Sequence, residues 1–137
     1  MSFKEKIMAF LLLPSSRTYL KKIIFELKNK DYKQVLEQTP NVKFKATKQE
    51  SLVKSYFWAA RTIKDCRCLP RSIALYHHMK ALGYDVKHKI GVNKTEKLNA
   101  HSWVELNDEP LNEHPDLYQR FTVLELTNDT IKATKLT

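Results

Sequence analysis

Cys68 and His101 are the residues of this 137-residue chain whose types and placement could do covalent chemistry. A thiol attacks a carbonyl as its thiolate, which a helix N-terminus favours through unpaired backbone N–H groups and the positive end of the helix dipole. Cys68 occupies such a point. Pro70 follows two residues later, and proline, with no N–H and a fixed φ, is tolerated in a helix only within the first turn. Arg67 and Arg71 add positive charge beside the thiol. His101 begins an alternating segment 33 residues downstream, and an imidazole on a strand facing a helix N-terminus supplies the base of a thiolate–imidazolium pair. Spacing alone does not select it. Two cysteines and five histidines offer many pairs, and a histidine beside Trp103 is more often a packed, hydrogen-bonded residue.

Cys66 lies one residue outside the expected helix and is read as a bystander. A Cys-x-Cys pair is half of a zinc site at most, and no second ligand pair with zinc-like spacing follows, so no metal and no cofactor is expected. Two cysteines this close do not form an ordinary structural disulfide, which fits a reducing, cytoplasmic setting.

The elements that must position these residues are helices first and strands later. Ser2 and Glu5 have capping-box spacing, and Pro14 is expected to close a short first helix. Ser15 and Ser16 would cap a second, carrying Tyr19, Ile23, Phe25 and Leu27; residues 31–38 form a third before Pro40. Thr47 and Glu50 give another capping-box signature, opening a helix that buries Leu52, Val53, Tyr56, Phe57, Ala60 and Ile63. Leu69, Ile73, Tyr76, Met79 and Leu82 recur at steps of three and four after Cys68, and Gly83 ends that helix. Beyond it the period becomes two. Val86 to Val92, His101 to Leu106 and residues 121–126 read as strands joined by short loops, hence antiparallel. The class is α+β in a single domain over residues 1–137, with a helical N-terminal extension at 1–46 and a catalytic core at 47–126.

Composition narrows the partners. Lysine and arginine outnumber aspartate and glutamate by 24 to 15, giving +9 and a pI near 9.5, so an acidic partner fits. The basic residues are scattered, with no glycine-rich loop, zinc-finger spacing or RNA-binding sheet motif, and no specific nucleic acid is expected. The apolar run at 7–13 is far shorter than the roughly 20 residues of a membrane span. It reads as a core-packed helix in preference to a membrane-surface one.

Four segments carry a resemblance. Cys68-Leu69-Pro70-Arg71-Ser72-Ile73-Ala74-Leu75, Ile90-Gly91-Val92, Ala100-His101-Ser102-Trp103-Val104-Glu105 and Pro110-Leu111-Asn112-Glu113 resemble, in order and spacing, the lasso-peptide leader peptidases over about residues 56 to 125. The resemblance implies a transglutaminase-like, papain-like fold and a Cys-His-Asp triad that cuts the leader from a ribosomally made precursor, so that a separate ATP-dependent cyclase can close the ring. The family cysteine falls on Cys68 and the histidine on His101. The family acid, twelve residues past the histidine, falls on Glu113 where aspartate is usual, with Asn112 and Asp116 as substitutes. Ser102 stands where alanine is common and reads as a small-for-small exchange. Larger relatives carry a fused leader-gripping domain. No strand-rich segment precedes residue 84, so the resemblance implies a separate small leader-binding protein that pairs the leader by β-augmentation. Acyl transfer with the same triad, as in transglutaminases, and an inactive scaffold or basic binding module are the alternatives. Trp103 would either wall the cleft or pack in the core.

Overall fold

The computed structural model describes residues 2–44, 46–96 and 99–124, and the backbone alone of 135–136. The order is α1 (Phe3–Asn29), α2 (Tyr32–Glu37), α3 (Gln49–Arg61), α4 (Cys68–Ala81), β1 (Val86–Asn93), β2 (Asn99–Leu106), β3 (Glu109–Pro110), α5 (Leu117–Arg120), β4 (Phe121–Val123) and β5 (Lys135–Leu136). The expected α+β arrangement is present.

α1 corrects the expected break at Pro14, because one helix runs through it. Proline at that position removes the N–H that would meet the Phe10 carbonyl. Phe10 is 66% exposed, so the orphaned carbonyl lies on the water side, where solvent can satisfy it. The opposite face, with Ala9, Leu12, Ser16, Tyr19, Leu20 and Ile23, is buried against the rest of the fold. The apolar run is accordingly split: Ala9 and Leu12 enter the core, whereas Ile7 (44%), Met8 (37%), Phe10 and Leu11 (65%) face water, as does Phe3 (77%) ahead of the run. The expectation of a core-packed run therefore holds for Ala9 and Leu12, with Leu13 packed against the core, and fails for Ile7, Met8, Phe10 and Leu11. The Ser2–Glu5 capping box forms as expected. The Thr47–Glu50 box does not cap α3, whose N-cap is Lys48 with no side-chain cap bond. The helix starts one residue later than expected, and Glu50 then falls short of the position a capping box needs.

α4 is tied to the earlier helices by buried polar contacts as well as apolar ones. The Tyr19 hydroxyl meets His77 Nδ1 at 2.7 Å, and His77 Nε2 meets the Leu36 carbonyl at 2.9 Å. The carbonyl can only accept, so Nε2 carries the proton and Tyr19 donates to Nδ1. Tyr56 reaches His78 Nδ1 at 2.9 Å, and the Ser16 and Ser55 hydroxyls meet at 2.8 Å between α1 and α3. Two of the five histidines are thereby accounted for as helix ties. α4 ends in a Schellman motif: Gly83 has φ 93°, its N–H reaches the Lys80 carbonyl at 3.0 Å, and the Tyr84 N–H reaches Met79 at 3.0 Å.

The sheet runs β3-β2-β1-β4 with antiparallel pairing along that path, and β5 adds to β2 in parallel. β3 and β5 were not legible as strands. Asn107 and Asp108, both at positive φ, make the tight β2–β3 hairpin. β4 covers three residues, with the Leu124 N–H still reaching the Ile90 carbonyl at 2.9 Å; residues 125 and 126 of the expected strand lie outside the described residues. Alternation on β2 sends Ala100, Ser102 and Val104 toward one face and His101, Trp103 and Glu105 toward the other. Ala100 and Val104 join the main core, which runs from Tyr19 to Leu111, whereas Trp103, Leu117 and Phe121 form a second, smaller one.

Gly91 is the close approach between β1 and the smaller core. A Cβ there would lie 3.0 Å from Trp103 Cη2 and 3.0 Å from Phe121 Cβ. Gly91→Ala is expected to destabilise the fold by about 1–3 kcal/mol through overpacking, seen as a lower urea midpoint. Gly83→Ala, which meets open space but keeps a positive φ, should cost about 1 kcal/mol.

Candidate active site

Cys68 is the first residue of α4, with Arg67 as N-cap and Pro70 in the third helical position. That start leaves the Cys68 and Leu69 amides without intrahelical partners. The residue is 3% exposed. Burial opposes ionisation of the thiol, but hydrogen bonds from the His101 imidazole, the Ser102 hydroxyl and the Ser102 backbone, together with the imidazolium charge, outweigh it and hold the pKa below the ordinary thiol value. Cys66 is in the opposite condition: burial pushes its thiol up, and its nearest acceptor is the Arg67 carbonyl at 3.7 Å.

His101 lies on the first half of β2, between Cys68 and Glu113. Its Nε2 is hydrogen-bonded to Glu113 Oε1, which leaves Nδ1 as the ring nitrogen that meets the thiol. Burial disfavours the imidazolium, but the bonds to Cys68 and Glu113 and their negative charges raise its pKa to about 10. Trp103 stacks on the imidazole at 5.8 Å and Phe121 flanks it at 5.6 Å. Trp103 is 1% exposed and donates its indole N–H to Glu105 Oε2 at 2.8 Å. Trp103 is thus a core residue whose ring forms the seat of the imidazole.

The three candidates for the third position are separated in space. Glu113 reaches His101; Asp116 is engaged by His114 Nδ1 at 2.7 Å on the exposed side. Asn112 has φ 54°, a left-handed conformation that asparagine tolerates, and it turns the chain just before Glu113. A cavity of about 260 Å³ opens beside His101 and Glu113, lined by His114, Asp116, Leu117, Arg120 and Phe121.

Sequence reading missed Ser102, Ser72, His88 and much of the part played by Arg71. The Arg71 guanidinium lies 4.0 Å over the Phe57 ring and within electrostatic reach of Cys68, Glu113 and Cys66. Ser102, read from the sequence as a small-for-small exchange, bonds the Cys68 sulfur. Its hydroxyl also meets Ser72 at 2.9 Å; Ser72 meets His88 Nε2 at 2.8 Å; and His88 Nδ1 meets the Tyr32 hydroxyl at 3.1 Å. These contacts span 30, 16 and 56 residues of sequence, beyond the reach of any periodicity. Among the described residues no cluster of three or more histidine, cysteine or acidic side chains could hold a metal.

A thiol paired with an imidazolium reacts with iodoacetamide at pH values where an isolated buried thiol does not. Cys68 is expected to label at least about tenfold faster than Cys66 at pH 7, measured by mass spectrometry of the two thiols. His101→Ala should remove most of that advantage, and equal rates in wild type and variant would break the pairing argument.

No curated protein and no solved structure matches the chain. A family model does, across residues 26–126, which include Cys68, His101 and Glu113. On that match, over an α+β fold with a helix-start cysteine facing a strand histidine, the chain belongs to the Transglutaminase-like superfamily, whose members are usually cysteine peptidases or acyl transferases.

Proposed function

We propose that this protein is a cysteine peptidase that removes the leader from a ribosomally made lasso-peptide precursor, with Cys68 as nucleophile, His101 as general base and acid, and Glu113 as the group that orients the imidazole. The observation that carries it is the alignment of Cys68, His101 and Glu113, with the two ring nitrogens of one histidine divided between sulfur and carboxylate. The order and spacing of the four motif segments support the choice of substrate. A separate leader-binding protein delivers the leader as an extended strand.

In the resting site His101 holds the proton of Cys68. The thiolate attacks the carbonyl at the leader–core junction, forming the C–S bond, while the helix-start amide of Cys68 donates to the developing oxyanion. Collapse breaks the C–N bond, and His101 Nδ1–H protonates the departing amine. Water then attacks the thioester, giving its proton to His101, and the thiolate leaves. Glu113 keeps Nε2 protonated and stabilises the imidazolium without taking its proton.

Cys68→Ala is expected to abolish leader cleavage, whereas Cys66→Ala should leave it largely intact; equal losses would remove Cys68 from its role. With the leader-binding protein in excess, Glu113→Gln should lower the single-turnover rate about 10²–10⁴-fold and Asp116→Asn should not. The reverse pattern would transfer the role to Asp116. The free-enzyme pH profile should be a bell. Its acid limb lies below the ordinary thiol pKa because Cys68 is lowered, and its alkaline limb lies near 10, where His101 loses the proton the leaving amine needs. Amine-capped product in place of the free acid, when a primary amine is supplied, would convert the assignment to acyl transfer.

A further inference from the structure

We propose that Ser72, His88 and Tyr32 are positioning residues that act through Ser102, forming a directed hydrogen-bond chain whose donors all point toward the Cys68 sulfur. The proposal deepens the role given to Cys68 above and rests on that reading.

Direction follows from which atoms can donate. A thiolate only accepts, so when Cys68 is ionised the Ser102 hydroxyl gives it the hydrogen. The Ser102 oxygen then accepts across the 2.9 Å contact, and Ser72 is the donor there. Ser72 has spent its hydrogen and must accept across the 2.8 Å contact with His88, so His88 Nε2 carries the ring proton. His88 Nδ1 is left as an acceptor for the Tyr32 hydroxyl at 3.1 Å. With the thiolate as the starting point, each contact of the chain holds one hydrogen and no two hydrogens collide.

His88 can carry that direction, because the thiolate end of the chain selects the tautomer with the proton on Nε2. Burial, and to a lesser extent the charge on His77, depress its pKa to about 3, so across the working range it remains a neutral ring with one donor and one acceptor nitrogen. The other orientation of Ser72, donating to the Leu69 carbonyl at 3.0 Å, leaves Ser102 without that incoming hydrogen and suits the neutral thiol. The Ser72 hydroxyl is thus a two-position rotor between the helix backbone and the nucleophile. Its neighbours set the bias, and Tyr32 extends the chain from the sheet to α2.

The test uses the full chain in a Cys66→Ala background and reads the pH dependence of iodoacetamide alkylation of Cys68, which needs no peptide substrate. Ser102→Ala is expected to raise the midpoint by about one unit, the worth of one hydrogen bond to a charged group, and Ser72→Ala, which acts through Ser102, by a smaller amount in the same direction. Ser102→Thr, which keeps the hydroxyl, should restore the wild-type midpoint. Tyr32→Phe, at a half-buried ring where folding is least at risk, should raise it by a smaller amount in the same direction. Unchanged midpoints in Ser72→Ala and Tyr32→Phe, with circular dichroism and melting temperature as in wild type, would overturn the chain. These shifts in the variants, together with a wild-type protein that never cleaves a leader, would instead overturn the substrate assignment and leave the chain standing.

Discussion

A thiolate survives in a protein interior only where donors converge on it, and at Cys68 the helix start and two neighbouring residues of β2 supply them. This requirement sets the relation between α4 and the sheet. Successive residues of a strand point to opposite faces, yet both His101 and Ser102 meet the sulfur, so Cys68 sits where it can be reached from both. Behind Ser102 is the main core with Ala100 and Val104; behind His101 is the smaller core of Trp103, Leu117 and Phe121. Cys68, itself part of the main core, therefore lies where the two packing units meet.

What the sequence made legible were features with local causes. The start of α4 follows from Pro70 and the end from Gly83, the first capping box from Ser2 and Glu5, and the β1–β2 pair from strict alternation. Pro14 misleads because its usual penalty depends on where the orphaned carbonyl points, and burial of the opposite face of α1 decides that. Thr47 and Glu50 mislead because a capping box is sensitive to a one-residue shift in helix start. Glu113, Asn112 and Asp116 could not be separated by spacing, since the distinction rests on the left-handed turn at Asn112 and on the capture of Asp116 by His114.

The histidines illustrate the same division. Five of them in the sequence look equivalent as bases, but four different surroundings give them different chemistry. His77 and His78 each use Nδ1 to tie α4 to tyrosines of α1 and α3, His88 is held neutral by burial, and His114 pairs with Asp116 on the exposed side. Only His101 is described with both a carboxylate and a thiol, and its proton is held to about pH 10 while that of His88 is given up near 3. Neighbours, not residue type, make that difference of several pH units.

The outward stripe of α1 has a consequence for the chain as a colloid. Phe3, Phe10 and Leu11 present aromatic and aliphatic surface to water, on a helix whose other face is already buried. Each 100 Å² of such surface raises the free energy by about 2.5 kcal/mol relative to being covered. The protein will therefore adhere to hydrophobic chromatography media through α1, more strongly as sulfate or phosphate is added. Its +9 net charge, which keeps copies apart at low ionic strength, loses that effect in the same salts. Salting-out behaviour will thus depend on the exposed apolar side chains of the first helix, remote in sequence from Cys68.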